Sequence, residues 1–149
     1  MTRSQALNGR APHVPTEIPA VRIRVPGRSE SITVVRQAVS GLGDAMGWSD
    51  EFVADVKVAA SEAATNVALH AYHPDAPGPL ELHAWVTDGW LTLQIVDEGT
   101  GMMPKITGTR KGLGLGLPMM TTLADGFQLA RSPNGTTTVT MWFELDRST

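Results

Sequence analysis

Two polar side chains on a predicted helix could act together on a ligand. Glu62 and Asn66 lie four residues apart in SEAATNVALHAY, a stretch otherwise rich in alanine. This spacing is about one helical turn, so the two side chains project side by side. A carboxylate can act as a base or orient a hydroxyl, and a carboxamide oxygen suits Mg²⁺. For the pair alone, a solvent-facing role is the alternative. His70 extends the same face, where a surface or partly packed histidine is the simpler interpretation.

A second candidate site lies where an apolar segment ends. In IVDEGTGM, Asp97 follows the apolar residues, and Gly99 and Gly101 come at alternate positions after it. A carboxylate at a strand end can accept a hydrogen bond from an exocyclic amine of a ligand. The glycines would let the backbone approach the flat face of that ligand. Because Asp and Gly are also common in turns, a plain turn is the alternative.

A third candidate is the segment RKGLGLGLPMM, in which Gly112, Gly114 and Gly116 precede a predicted helix. Glycine-rich backbone that leads into a helix N-terminus can bind phosphate. Arg110 and Lys111 could add positive charge beside it. The segment has neither the GK[ST] of a Walker A motif nor the Rossmann glycine spacing after a strand. A flexible surface loop with solubilising charges is the alternative.

The elements that would position these motifs can be predicted from periodicity. VRIRV alternates apolar and basic residues as a half-buried strand does. Two helices follow, with Ser29 and Ser49 as predicted N-caps, and then a hairpin with its turn at Asp88-Gly89. The glycine-rich loop, a helix and a last hairpin complete the order. We therefore predict a two-layer α/β sandwich, with a mixed, mostly antiparallel sheet and helices on one face.

Composition narrows the classes of protein further. The 149 residues suit one domain, and we predict a flexible segment over 1–17 and the domain over 18–145. A net charge of −3 gives no electrostatic footprint for direct binding of nucleic acid. No apolar run is long enough to cross a membrane. The absence of cysteine excludes disulfides and thiolate metal sites, and a cytoplasmic location is the default expectation.

The order of the three motifs resembles the asparagine box and the two glycine boxes of the histidine-kinase-like ATPases, the GHKL or Bergerat-fold superfamily. The boxes read EAATN, DEGTG and GLGLG in this chain. The segment GTTTV is similar to the last strand of that superfamily, which carries a threonine near the adenine pocket. The resemblance covers residues 18–145 and implies a Bergerat ATP-binding fold.

Within that superfamily, ASEAATNVALHAYHP is similar to the SEA-TNA--HAY pattern of the bacterial anti-sigma-factor serine kinases. The resemblance implies that Glu62 is the catalytic base and that Asn66 holds Mg²⁺. It implies that Asp97 binds the adenine amino group. Residues implied to shape the adenine pocket are Gly99, Gly101 and Thr137. Residues implied to bind the phosphates of ATP are Arg110, Lys111, Gly112, Leu113, Gly114, Leu115 and Gly116.

The same resemblance implies a function and a set of partners. The chain would be an ATP-binding serine/threonine-protein kinase that acts as an anti-sigma factor, with ATP and Mg²⁺ as cofactors. Its substrate would be a STAS-type anti-anti-sigma protein, and it would be a homodimer. The alternative is a nucleotide-dependent binding regulator without significant kinase activity. Glu62 favours the kinase, because nucleotide binding alone requires no base.

Overall fold

The computed structural model describes residues 13–99 and 116–147, which form a sheet covered on one face by helices. The strands are Val21–Pro26 (β1), Pro79–Thr87 (β2), Trp90–Asp97 (β3), Gly126–Arg131 (β4) and Thr137–Glu144 (β5). The helices are Glu30–Met46 (α1), Asp50–Asn66 (α2) and Gly116–Leu123 (α3). Val67–Ala71 is a π-helical turn that continues α2, and Leu145–Arg147 form a 3₁₀ turn.

The sheet has the strand order β1-β2-β3-β5-β4. All four pairings between these strands are antiparallel. The predicted two-layer α/β sandwich is therefore confirmed. The sheet is not mixed, as the prediction allowed, because each described strand pairs only with antiparallel neighbours.

The core lies between the inner face of the sheet and the helices. On β2, Leu80, Leu82 and Ala84 alternate inward and are each 1% exposed. The central helix α2 contacts both α1 and α3. Its stripe of small residues, Ala59, Ala60, Ala63 and Ala64, is fully buried. Alanine side chains let a helix axis approach its neighbours closely, so α2 can hold its C-terminal end against the end of the sheet.

Both predicted serines lie at the N-cap positions of their helices, but only Ser49 makes a side-chain capping bond. The Ser49 hydroxyl accepts a hydrogen bond from the Phe52 backbone N–H at 3.2 Å, which caps α2. Ser29 makes no such bond, because its own backbone is already helical (φ −56°, ψ −37°). The turn before it is closed instead by backbone bonds, such as that from the Ser31 N–H to the Arg28 carbonyl at 3.0 Å.

The turn between β2 and β3 is as predicted. Asp88 and Gly89 both have positive φ, 55° and 82°, as a two-residue hairpin turn of type I′ requires. This turn sets the register of β2 against β3, in which Thr87 lies opposite Trp90 and Leu80 opposite Asp97. The register therefore fixes where Asp97 leaves the sheet.

The segment before β1 contacts the outer face of the sheet. The Trp85 indole N–H donates a hydrogen bond to the Glu17 carbonyl at 2.9 Å, and Pro15 is buried. Residues 1–12 lie outside the described residues, so the predicted domain boundary at residue 18 stays a prediction. Across residues 13–99 and 116–147, no helix is long and apolar enough to cross a bilayer.

Candidate functional site

The C-terminal end of α2 carries the predicted catalytic pair. Asn66 is the last residue of α2 and is only 2% exposed, whereas Glu62, one turn earlier, is half-buried. Asn66 is thus not solvent-facing, which was the alternative for this pair. Because α2 packs its alanines inward, Glu62 lies at the border between the core and solvent, and Asn66 is buried one turn further along. This placement suits side chains that meet a ligand.

Beyond Asn66 the helix widens into the π-helical turn Val67–Ala71, a feature that the sequence did not predict. Such turns are rare and recur at functional sites. His70 lies in this turn as a partly packed side chain, as the simpler interpretation predicted, and its Nε2 is buried without a hydrogen-bond partner within the described part of the chain. Ala71, the last residue of the turn, contacts Gly99.

Asp97 and Thr137 form the centre of a second cluster. They lie directly opposite each other on β3 and β5, and Arg131 lies opposite Thr137 on β4. Residues opposite each other in antiparallel strands lie on the same face of the sheet. Asp97 lies opposite Leu80, which is buried under the helices, so this cluster is on the helix-facing side of the sheet. Asp97 is 1% exposed and Thr137 fully buried. Asp97 and Thr137, which the resemblance places at the adenine site, are therefore neighbours on the inner face of the sheet; their role in binding adenine stays a prediction.

The electrostatics of Asp97 suit a hydrogen-bond acceptor. Burial raises the pKa of its carboxyl from 3.8 to about 6, against smaller lowering effects from the Gly99 N–H and from Arg131. The Gly99 N–H donates to Asp97 Oδ1 at 2.9 Å. At neutral pH the buried group is thus mainly ionised. Its second oxygen accepts no hydrogen bond from residues 13–99 or 116–147, and a carboxylate oxygen can accept an amine N–H of a ligand.

Asp97 should also make stability depend on pH. Between pH 3.8 and about 6 the folded protein keeps a proton on Asp97 that the unfolded chain has lost. The free energy of unfolding therefore falls as pH rises through this window, by at most about 3 kcal/mol from this group. We expect Asp97→Asn to remove that dependence. Urea unfolding at pH 4 and pH 7 tests it, and an equal effect of Asp97→Asn at both pH values would contradict it.

Gly99 is required by a close backbone contact. A Cβ at this position would overlap the carbonyl of Ala71, which is backbone and cannot move aside as a side chain can. We expect Gly99→Ala to cost about 1–3 kcal/mol of the free energy of unfolding and to displace the segment after Asp97. Chemical denaturation measures the cost.

Gly41→Ala is the matched control, since a Cβ at Gly41 in α1 meets nothing within 4 Å. This control should gain about 0.5–1 kcal/mol, because alanine is the better helix former. Equal stability of the Gly99→Ala and wild-type proteins would rule out the close contact.

The predicted phosphate-binding segment is mostly outside the described residues. These positions are Gly101, Arg110, Lys111, Gly112, Leu113, Gly114 and Leu115. Gly116 is the first residue of α3, so the segment does lead directly into a helix, as predicted. The role of residues 110–116 in binding phosphate stays a prediction.

The described side chains fit an adenine nucleotide with Mg²⁺. Asp97 offers a buried acceptor to an exocyclic amine, and the bare backbone of Gly99 leaves no side chain in the way. Among the described residues there is no cluster of three His, Asp or Glu side chains for a metal. Asn66 offers a carboxamide oxygen, and Mg²⁺ usually keeps several waters and phosphate oxygens as its other ligands.

Two residues at the site were not predicted from the sequence. Arg131 Nη1 lies 3.4 Å from both the Thr137 hydroxyl and the Gly99 carbonyl. The alternation in GFQLAR could have identified it, because it places Arg131 on the same face as Phe127 and Leu129. The other is Tyr72, whose hydroxyl contacts the backbone at Glu98.

A buried aspartate and a buried threonine thus lie at one end of an antiparallel sheet, beside a helix that ends in a buried asparagine. These are groups that can hydrogen-bond a nucleotide. The chain belongs to the histidine kinase-like ATPase domain family, whose model matches residues 25–143. The predicted superfamily is thus confirmed.

Several relatives agree with this assignment. The chain is similar to the serine-protein kinase RsbW of Bacillus licheniformis, with 28% identity over 142 residues, covering 85% of this chain and 88% of that protein. The RsbW of Bacillus subtilis is also 28% identical, over 140 residues, with the same coverage.

A solved structure shares the fold. It contains the RsbU and RsbW domains of a Mycobacterium tuberculosis protein and matches with a TM-score of 0.63 at 21% identity. The match covers 85% of this chain and 33% of that longer one.

Proposed function

We propose that this chain is an ATP-dependent serine/threonine-protein kinase that acts as an anti-sigma factor. The observation that carries the proposal is the placement of half-buried Glu62 one helical turn before buried Asn66 at the end of α2. Through the contact of Ala71 with Gly99, the π-helical turn links these two residues to the cluster of Asp97 and Thr137. The prediction of a serine kinase is supported by relatives of that name, which match over most of their length.

In this proposal the chain's own residues bind and orient the nucleotide. The second Asp97 carboxylate oxygen accepts a hydrogen bond from the adenine amino group, and Thr137 supports the same edge of the base. Gly99 and Gly101 keep the backbone close to the ring. Arg110, Lys111 and the segment from Gly112 to Gly116 bind the phosphates.

Phosphoryl transfer then proceeds from the bound nucleotide to a protein hydroxyl. Glu62 takes the hydroxyl proton of the substrate serine or threonine, and the hydroxyl oxygen of that residue bonds to the γ-phosphorus. The bond from that phosphorus to the β–γ bridging oxygen breaks, and ADP leaves with the electron pair. Asn66 would hold Mg²⁺, which neutralises phosphate charge. Catalysis by this site rests mainly on positioning and electrostatics.

The partners follow from the same proposal. The substrate is a STAS-type anti-anti-sigma protein, and its phosphorylation frees the kinase to sequester a sigma factor. The kinase is a homodimer and works in the cytoplasm, where a sigma factor meets RNA polymerase.

A phosphorylation assay tests this function. The protein is incubated with γ-labelled ATP and a STAS protein from the same host, and label on a serine or threonine of that protein is the expected result. Measurable ATP affinity without transfer would instead support the alternative, a nucleotide-dependent regulator without kinase activity. A pull-down from the host with and without ATP would identify the sigma factor or show that none is bound.

A further inference from the structure

The hydroxyl of Tyr72 is held between two strands of the sheet. Tyr72 follows the π-helical turn, and its Oη donates a hydrogen bond to the Pro79 carbonyl at 2.5 Å. The same oxygen accepts a hydrogen bond from the Glu98 backbone N–H at 2.8 Å. A hydroxyl can do both at once because it is a donor and an acceptor.

This position is a regular step of the ladder between β2 and β3. Thr87 and Trp90 flank a two-residue hairpin turn, so they form a hydrogen-bonded pair of the ladder. In antiparallel strands every second pair from there on is also hydrogen-bonded. Leu80 lies opposite Asp97, so the next step pairs Pro79 with Glu98, and this step falls on a hydrogen-bonded pair. A proline has only a carbonyl to offer there. The one direct bond possible in this pair would run from the Glu98 N–H to the Pro79 carbonyl. The Tyr72 hydroxyl is inserted between these two groups and bonds to both.

The ring of Tyr72 is fixed by two glycines. A Cβ at Gly78 would overlap the ring, and one at Gly27 would come within 2.9 Å of it. The Gly27 N–H also donates to the Gly78 carbonyl at 2.8 Å, which closes the backbone beneath the ring. The hydroxyl therefore has little freedom to leave the gap between the strands.

The inserted hydroxyl sets the course of the chain after Asp97. The hydroxyl lies between the Glu98 N–H and β2 and so keeps Glu98 from bonding to β2 directly. At the next residue the chain brings Gly99 against the Ala71 carbonyl. Gly99 in turn donates its N–H to Asp97. Burial and the nearby charges of Asp97 and Glu98 raise the pKa of Tyr72, so the phenol keeps the proton that it donates.

We propose that Tyr72 is a positioning residue for nucleotide binding, whose hydroxyl holds the segment Asp97–Gly99 in the orientation that receives the base. This inference rests on the proposed function. Tyr72 touches neither nucleotide nor substrate in this arrangement and acts through the backbone at Glu98.

The variant Tyr72→Phe tests the inference, because it removes the hydroxyl and keeps the ring. The expected result is an ATP dissociation constant about 10-fold higher, since two hydrogen bonds at the pocket are lost. The KM for ATP should rise in parallel, with kcat within about twofold, because Glu62 and Asn66 are untouched. The Glu98 amide should exchange its hydrogen faster.

Ser49→Ala is the matched control. It also removes one hydroxyl that bonds a backbone N–H, but at the opposite end of α2. It should lower stability and leave ATP affinity unchanged. If Tyr72→Phe lowers stability in the same way and binds ATP as wild type does, the positioning role is overturned. Failure of the wild-type protein to bind ATP would instead overturn the proposed function.

A second measurement needs no substitution of the ring. Tyr72 is the single tyrosine of the chain, so 3-fluorotyrosine labels this position alone. The fluorine NMR resonance should shift when ADP binds, because the hydroxyl and the pocket share the Glu98 backbone. An unmoved resonance in the ADP-saturated protein would overturn the inference even if Tyr72→Phe does not fold.

Discussion

Replacing Glu62 with glutamine should abolish phosphoryl transfer and leave ATP binding intact. Glutamine has the size and polarity of glutamate but cannot take up the proton of a serine hydroxyl at neutral pH. The expected loss in kcat is about 10²- to 10⁴-fold, the usual contribution of a general base. The ATP dissociation constant should stay within about twofold of wild type, because Asp97 and Asn66 carry the binding in our proposal. Single-turnover transfer and calorimetric titration with ATP measure the two quantities.

Glu51→Gln is the control for this experiment. Glu51 lies in the first turn of α2, is exposed, and carries the same charge as Glu62. Its replacement changes the net charge equally, so it should retain full transfer activity. Normal activity in the Glu62→Gln protein would exclude Glu62 as the base, whereas loss of ATP binding would assign it to the nucleotide instead.

The variant Asp97→Asn should weaken ATP binding and stabilise the ligand-free protein at pH 7. Asp97 Oδ1 already accepts the Gly99 N–H. An asparagine that keeps this bond turns its NH₂ group towards the ligand, where it would face another donor. Loss of a hydrogen bond to a charged acceptor predicts affinity about 10- to 100-fold lower. Without ligand, the variant no longer buries an ionised carboxylate, so its unfolding temperature should rise.

Asp125→Asn is the matched control, a second buried aspartate at the opposite end of the sheet. Its carboxylate accepts the Glu144 backbone N–H at 2.8 Å. β5 separates Glu144 from Thr137 by roughly 23 Å at the usual rise per residue. ATP affinity should be unchanged in this variant. If Asp97→Asn binds ATP as tightly as Asp125→Asn does, Asp97 does not bind the base.

The order of elements could be predicted because it depends on local patterns. The alternation in VRIRV, the Asp88-Gly89 turn and the Ser49 cap each act over a few residues, and each is found as predicted. Ser29 also lies at the N-cap position of α1, but its side chain makes no capping bond, since a tight turn with its own backbone bonds precedes the helix.

The site was only partly predictable from the sequence, because its contacts join distant segments. The spacing of Glu62 and Asn66 and the glycines after Asp97 are visible in the chain. The π-helical turn is not visible, since a helical pattern does not reveal where one extra residue per turn is accommodated. The contact of Ala71 with Gly99 and the hydroxyl of Tyr72 between β2 and β3 depend on tertiary packing.

The buried carboxylate of Asp97 also bears on the lifetime of the protein in the cell. Molecules without ligand carry the ionised group in a buried place, and this lowers their free energy of unfolding. A ligand that binds only the folded state raises the free energy of unfolding again by mass action. Proteases degrade the transiently unfolded population, so chains with an empty pocket would be removed faster than occupied ones. In our proposal, the carboxylate that binds the base would thereby link the abundance of this protein to nucleotide supply.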